Sequence, residues 1–355
     1  MNRFTKQLLP FCSLIFIFSL CTFLVPDNFL TSKNLVNVLC RSSINGIMAA
    51  GMTYIIITGG IDLSVGSMLA MCGMIGAVSM LYFSVDKEAV IAASMTPVTS
   101  GPDGFTAGIA AHPVWAAISS GTYIRLSLGA MVLGTLIGVV AGAICGFANG
   151  MFITKLKLAP FIVTLGTMSI FRGISYIAND GKPFAVSDYS WLDTGKVLGG
   201  IPSSVILLVI VMAAAGFLLK CTKFGRYTYA IGSNTQTAFH AGVNVNWMLV
   251  GIYTFTGALV GLASMITVSR ASTAQPTAGI SLELDIVAAC IIGGCAPSGG
   301  RGTMLGTVIG TLLIAFLRNG LTLLDISTNF QLVVIGLIII VAVTADQFAT
   351  RRKAT

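Results

Sequence analysis

Long apolar runs follow one another from Leu8 to about residue 346, separated by short polar stretches. A backbone in hydrocarbon has no water to bond, so every N–H and C=O must be satisfied inside the segment, and each run of about 17 to 25 residues reads as a spanning helix. The runs lie near 8–25, 35–58, 65–83, 126–148, 159–178, 203–220, 248–269, 283–294, 303–323 and 329–346. They predict an all-α polytopic membrane protein with about ten transmembrane helices. The run 283–294 is short for a full crossing and predicts a broken or half helix packed inside the protein. With 55% hydrophobic and 9% charged residues, the chain is no soluble enzyme carrying one anchor, and all of 1–355 is expected to form a single transmembrane domain.

The net charge of +8 comes from 20 Lys+Arg against 12 Asp+Glu. In a polytopic protein such an excess belongs to cytoplasmic loops, not to a nucleic-acid partner. Crossings that start inside put Arg3, Lys6, Lys155, Lys157, Lys220, Lys223, Arg226, Arg301, Arg351, Arg352 and Lys353 on the cytoplasmic side, together with both termini. The outer segments then hold Lys33, Arg41, Lys87, Lys182, Lys196 and Arg270, and most of the acids: Asp27, Asp86, Glu88, Asp103, Asp180, Asp188, Asp193 and Asp325. Residues 1–26 have the basic and apolar parts of a signal peptide but no small-residue cleavage site, and the apolar part is long enough to span, so it reads as the first helix.

Two loops are long enough to matter. The stretch 84–123, with Pro97, Gly101, Pro102, Gly104 and Pro113, reads as an external loop insertion. The stretch 220–247 faces inward. In it Asn234 is placed to N-cap a short helix over 235–241, and Gly242 to end that helix in the left-handed conformation, which makes a docking element in a cytoplasmic loop.

The chain offers little for covalent chemistry. Its eight cysteines (Cys12, Cys21, Cys40, Cys72, Cys145, Cys221, Cys290, Cys295) lie in or beside apolar segments, form no CxxC pair or metal-spaced cluster, and read as small hydrophobes; no metal or cofactor site is expected. His112 and His240 are solitary. There is no phosphate loop, nucleophile elbow or zincin motif, so the chain cannot hydrolyse nucleotide by itself.

Polar residues at membrane depth are costly and mark function. The first candidate set is Gly59, Gly60, Asp62, Ser64 and Gly66: glycines permit a non-helical turn, and Asp62 and Ser64 can cap a restarted helix. Asp62 is read either as a functional acid or as no more than a helix cap. A similar apolar run ends in Gly293 and Gly294, with Ser298 four residues beyond, and paired interruptions of this kind point to pseudo-symmetric transporters. The segment 270–285 carries hydroxyls, Gln275, Glu283 and Asp285; it reads as a vestibule for a polyhydroxylated solute, or as a polar turn whose acids stabilise a helix N-terminus. Arg172 and Arg318 either pair with an acid across the bundle or snorkel, and snorkelling is expected for Arg318.

Several motifs in fixed order carry a family resemblance: Gly59-Gly-Ile-Asp-Leu-Ser-Val-Gly-Ser67, Lys155-Leu-Lys-Leu-Ala-Pro-Phe-Ile-Val-Thr-Leu-Gly-Thr-Met-Ser169 with Arg172-Gly173, Thr222-Lys-Phe-Gly-Arg-Tyr-Thr-Tyr-Ala-Ile-Gly-Ser-Asn234, Ala241-Gly-Val-Asn244, and Ala274-Gln-Pro-Thr-Ala-Gly279 followed by Glu283, Asp285, Gly293 and Gly294. Over most of its length the chain resembles the permease subunits of bacterial ABC importers for ribose and related monosaccharides. The loop 84–123 is longer than in that family and inherits no role from it. The resemblance implies a homodimeric channel in the bacterial inner membrane, fed by a periplasmic or lipid-anchored sugar-binding protein and driven by cytoplasmic ATP-binding subunits that hold the ATP. It implies a coupling helix between the sixth and seventh spans, matching the element read above at Asn234, Thr235, Gln236, Phe239, His240 and Gly242, and a gate or path at Gly59, Gly60, Asp62, Ser64, Gly66, Gln275, Glu283, Asp285, Gly293 and Gly294. A branched-chain amino acid permease of the same class, or an autonomous secondary transporter, is the alternative.

Overall fold

The computed structural model of the chain describes residues 3–84, 124–197 and 200–351. These residues are predominantly helical. In order they form α1 (Arg3–Leu24), α2 (Pro26–Phe29), α3 (Ser32–Ile57), α4 (Val65–Ser84), α5 (Leu128–Lys155), α6 (Pro160–Ile177), β1 (Phe184–Ala185), α7 (Trp191–Thr194), β2 (Lys196–Val197), β3 (Ile201–Pro202), α8 (Ser203–Cys221), α9 (Lys223–Ser233), α10 (Thr235–His240), α11 (Val245–Ala271), β4 (Thr273–Ala274), α12 (Leu282–Ile292), α13 (Met304–Leu323) and α14 (Thr328–Arg351). Each apolar run lies on a helix, and six helices, α4, α5, α6, α8, α11 and α13, are long and apolar enough to cross a membrane. The run expected to be a half helix is α12, whose 11 residues rise about 16 Å, half the hydrocarbon thickness. Beyond Ser84, the expected external insertion lies outside the described residues.

Local chemistry sets the helix starts. Thr31, Ser127, Asn234, Asn244 and Thr303 each accept a backbone N–H of their own first turn, and Pro160 opens α6, where its missing N–H costs nothing.

Close backbone packing builds the centre. From Ser42 onward α3 is buried almost without interruption, although its polar residues make it one of the less apolar helices. On α5, Gly134, Gly138, Gly142, Gly146 and Gly150 recur every fourth residue and so line one face. Gly134 faces Gly76 of α4, Gly142 faces Gly257 and Gly261 of α11, and Gly146 and Gly150 face the α11 backbone at Tyr253 and Val250. Between helices in lipid there is no hydrophobic gain, so such small-residue stripes, which let dispersion act at short range, replace it. α12 packs on α13 by the same device, Gly293 against Gly306 and Ala289 against Gly310. α1 is held against α13 by Cys21 at Gly320 and by the rings of Phe18 and Phe316, 5.2 Å apart. At one end of the bundle β1 pairs antiparallel with β4, Phe184 opposite Ala274.

A Cβ at Gly142 or Gly146 would run into the backbone of α11, so Gly146→Val is expected to cost about 3 kcal/mol or more through overpacking. Gly166→Ala, which meets nothing within 4 Å, should be neutral. Thermal unfolding in detergent, followed by the monodisperse fraction, checks both.

Candidate functional site

The first break follows α3. Gly59 at φ +83° turns the chain, and the N–H groups of Gly59 and Gly60 return to Ile56 O and Ile55 O. Residues 61–64 belong to no helix or strand, and α4 restarts at Val65. Asp62 is 1% exposed and accepts from the Ser64 N–H at 2.8 Å and the Ser64 hydroxyl at 2.6 Å, bonds that close a turn just ahead of α4. Asn149 of α5 donates to Ser64 Oγ at 2.9 Å. The second break follows α12, where Gly294 has φ +93° and Gly299 and Gly300 are also left-handed before Thr303 caps α13.

The two breaks touch. Gly300 N–H donates to Ile57 O, the last carbonyl of α3, at 2.8 Å, and deeper in the pair Thr53 and Thr307 share a 2.6 Å hydroxyl bond. Both rest on α9: Gly232 has no room for a Cβ because Ile57 O and Gly300 N occupy it, and Tyr229 donates its hydroxyl to Gly302 O at 2.7 Å. Burial pushes the Tyr229 phenol above its ordinary pKa. α9 runs directly into α10, which is the short helix expected from the sequence. Asn234 Oδ1 accepts from Thr237 N–H at 2.9 Å, and Gly242 at φ +84° ends the helix. Ala238 is buried under α10, while Thr235, Gln236, Phe239 and His240 are exposed, Phe239 at 66%.

The segment after α11 is anchored from α6. Arg172 donates to Pro276 O at 2.6 Å and Ala278 O at 2.8 Å, so among the described residues it is held by backbone carbonyls rather than by an acid. Gly279 and Gly66 meet backbone to backbone, which ties this segment to the start of α4. A cavity of about 170 Å³ opens between α4, α11 and the segment, lined by Ser264, Thr267, Thr273 and Gln275 among apolar residues and by no charged side chain. Glu283 and Asp285 sit in the first turn of α12, as a dipole-stabilising pair would.

Arg318 is a correction. It does not snorkel: its guanidinium pairs with Asp285, Nη2 donating to Oδ1 at 2.8 Å while Nε lies 2.7 Å from Oδ2 without the alignment of a hydrogen bond. Asp285 is 2% exposed and one helix away, and a buried carboxylate at hand outweighs stretching to the interface. Sequence reading missed Asn149, Tyr253, Tyr229 and Gly232. Asn149 was an isolated polar residue at the end of an apolar run, and that isolation was the available signal. Among the described residues no group of His, Cys, Asp or Glu has the arrangement of a metal site.

A family profile described as branched-chain amino acid transport system / permease component matches residues 34–343. The chain belongs to this family of transport permeases. It is 38% identical over 99% of its length to the ribose import permease protein of Haemophilus influenzae, covering 96% of that protein. It is 39% identical over 96% of its length to the ribose import permease protein of Bacillus subtilis, covering 93%. To the D-allose transport system permease protein of Escherichia coli it is 33% identical over 92% of its length, covering 87%. No solved structure matches it significantly.

Removing one partner of the Arg318–Asp285 pair strands a buried charge, so Asp285→Ala is expected to cost about 3 kcal/mol, while Asp285→Leu combined with Arg318→Met recovers most of that stability. Thermal unfolding of the two variants in detergent decides it.

Proposed function

We propose that the chain is the membrane permease of an ATP-driven monosaccharide importer of the ribose type. In this reading it crosses a bacterial inner membrane about ten times with both termini in the cytoplasm, and the 222–244 loop faces the motor. Two copies form the path, a sugar-binding protein delivers solute from outside, and ATP is bound by separate cytoplasmic subunits. The chain itself catalyses nothing.

The observation that carries the proposal is the seat of α9 on both helix breaks. ATP-driven closure of the motor subunits pushes α10 through its exposed Thr235, Gln236, Phe239 and His240. Because α10 is joined to α9 by the single residue Asn234 and Ala238 packs in one cluster with Ile231 of α9, the push reaches the Gly232–Ile57–Gly300 junction, where the two breaks meet. Gly59, Gly60, Gly66, Gly293 and Gly294 are the hinge positions, and Gln275, Glu283 and Asp285 border the path. Such rocking of broken helices around a fixed site is alternating access.

The solute class follows from the relatives' names and from the cavity. A zwitterionic amino acid would need charged groups for its ammonium and carboxylate, since burying either unpaired is expensive. The cavity wall carries hydroxyls and an amide and no charge, which suits a neutral polyol. A branched-chain amino acid is therefore the weaker reading of the same architecture.

Reconstitution with its motor and binding proteins tests the proposal: ribose uptake that requires ATP is expected, and uptake that follows a proton or sodium gradient without ATP overturns it. Phe239→Asp and Gly242→Val are expected to lower transport about tenfold, a loss of about 1.4 kcal/mol in coupling, while ATP hydrolysis and folded yield persist. Transport assays run beside hydrolysis assays separate uncoupling from misfolding.

A further inference from the structure

The first break holds a buried carboxylate with nothing to balance it. Asp62 is 1% exposed, and no lysine or arginine pairs with it among the described residues. The N-terminus of α4 offers it about half a unit of positive charge, but the C-terminus of α3, a few residues before it, presents a similar negative one. A carboxylate in such a place stays ionised only with a partner. Two further polar atoms beside it are also buried and unpartnered. Asn149 is 0% exposed; its Nδ2 is fixed on Ser64 Oγ, the hydroxyl that donates to Asp62, and lies within hydrogen-bond reach of the Asp62 carboxylate as well, while its Oδ1 has no hydrogen-bond partner. Tyr253 is 1% exposed, and its hydroxyl, which lies against Gly60 two residues before Asp62, has no partner either.

A carboxylate, an amide carbonyl and a phenol oxygen, drawn from the α3–α4 break, α5 and α11, are the hard oxygen ligands of a small cation. One missing charge calls for a monovalent one. We propose that Asp62, Asn149 and Tyr253 form a site for an alkali-metal cation, sodium or potassium, that ties the α3–α4 break to α5 and α11. The inference goes beyond the transport reading and stands without it. The cation neutralises Asp62, satisfies Asn149 Oδ1 and the Tyr253 oxygen together, and frees the phenol proton to donate to the carboxylate. It stabilises the break as a structural ion and is not the transport energy source.

The test uses the full chain in detergent, with thermal unfolding as its readout, so a failed importer reading leaves it intact. Unfolding is followed in sodium, potassium and choline chloride at equal ionic strength. A bound cation raises the midpoint as its concentration passes its dissociation constant. The expected result is a concentration-dependent rise of several degrees in sodium or potassium over choline, with the better ion identified by the larger rise. The rise should vanish in Asp62→Asn, which removes the charge and keeps the shape, and shrink in Tyr253→Phe. If Asp62→Asn fails to fold, Asn149→Leu serves in its place. Equal midpoints in the three salts overturn the proposal, as does an undiminished salt response in the variants. A midpoint that follows pH and ignores the cation also overturns it, by giving the site to a proton.

Discussion

Inside a bilayer an N–H or C=O that leaves a helix must find a partner in the protein, because the solvent offers none. The interruption after α3 shows how this requirement organises the structure. The N–H groups of Thr58, Gly59 and Gly60 fold back onto carbonyls of the last turn of α3, and the Ser64 N–H is taken by Asp62. The remaining carbonyl, that of Ile57, is taken by Gly300 from the other interruption. One break thus completes the other. Neither can rearrange without exposing a polar group that costs several kcal/mol in hydrocarbon, so the breaks are bound to move together.

Glycine serves two opposite purposes around this junction. Along α5 and α11 it removes side chains so that two continuous helices lock at backbone contact, giving a rigid pair on which Asn149 and Tyr253 are carried. At Gly59, Gly294, Gly299 and Gly300 it supplies left-handed backbone, which a side chain would strain. Gly232 belongs to the first kind, although it lies in the polar loop. Its missing Cβ lets α9 sit directly on both breaks.

The helices and the capped element at 234–242 were legible from residue patterns, because an apolar run and an Asn-to-Gly cap pair act locally. So was the half-length of α12. Other features depended on partners far along the chain. Arg318 looked like a snorkelling residue because it stands near a helix end, and only the packing of α12 on α13 brings Asp285 to it. Arg172 was expected to meet an acid or the interface, and it meets two carbonyls of a loop more than a hundred residues away. The hydroxyls and amide of 264–275 became a cavity wall only once α4 closed its far side.

The sequence by itself determined that this is a multi-span helical membrane permease with interrupted helices and a short capped helix in a polar loop. Hydrogen bonding within a helix and its capping are decided within a few residues, so composition and spacing carry them. The tertiary structure decided which polar groups face one another: Asp285 with Arg318, Gly300 with Ile57, and Asn149 with Ser64. Those pairings depend on the rotation and crossing of whole helices, which the small-residue stripes set through close backbone contact, and no local stretch of sequence contains that information.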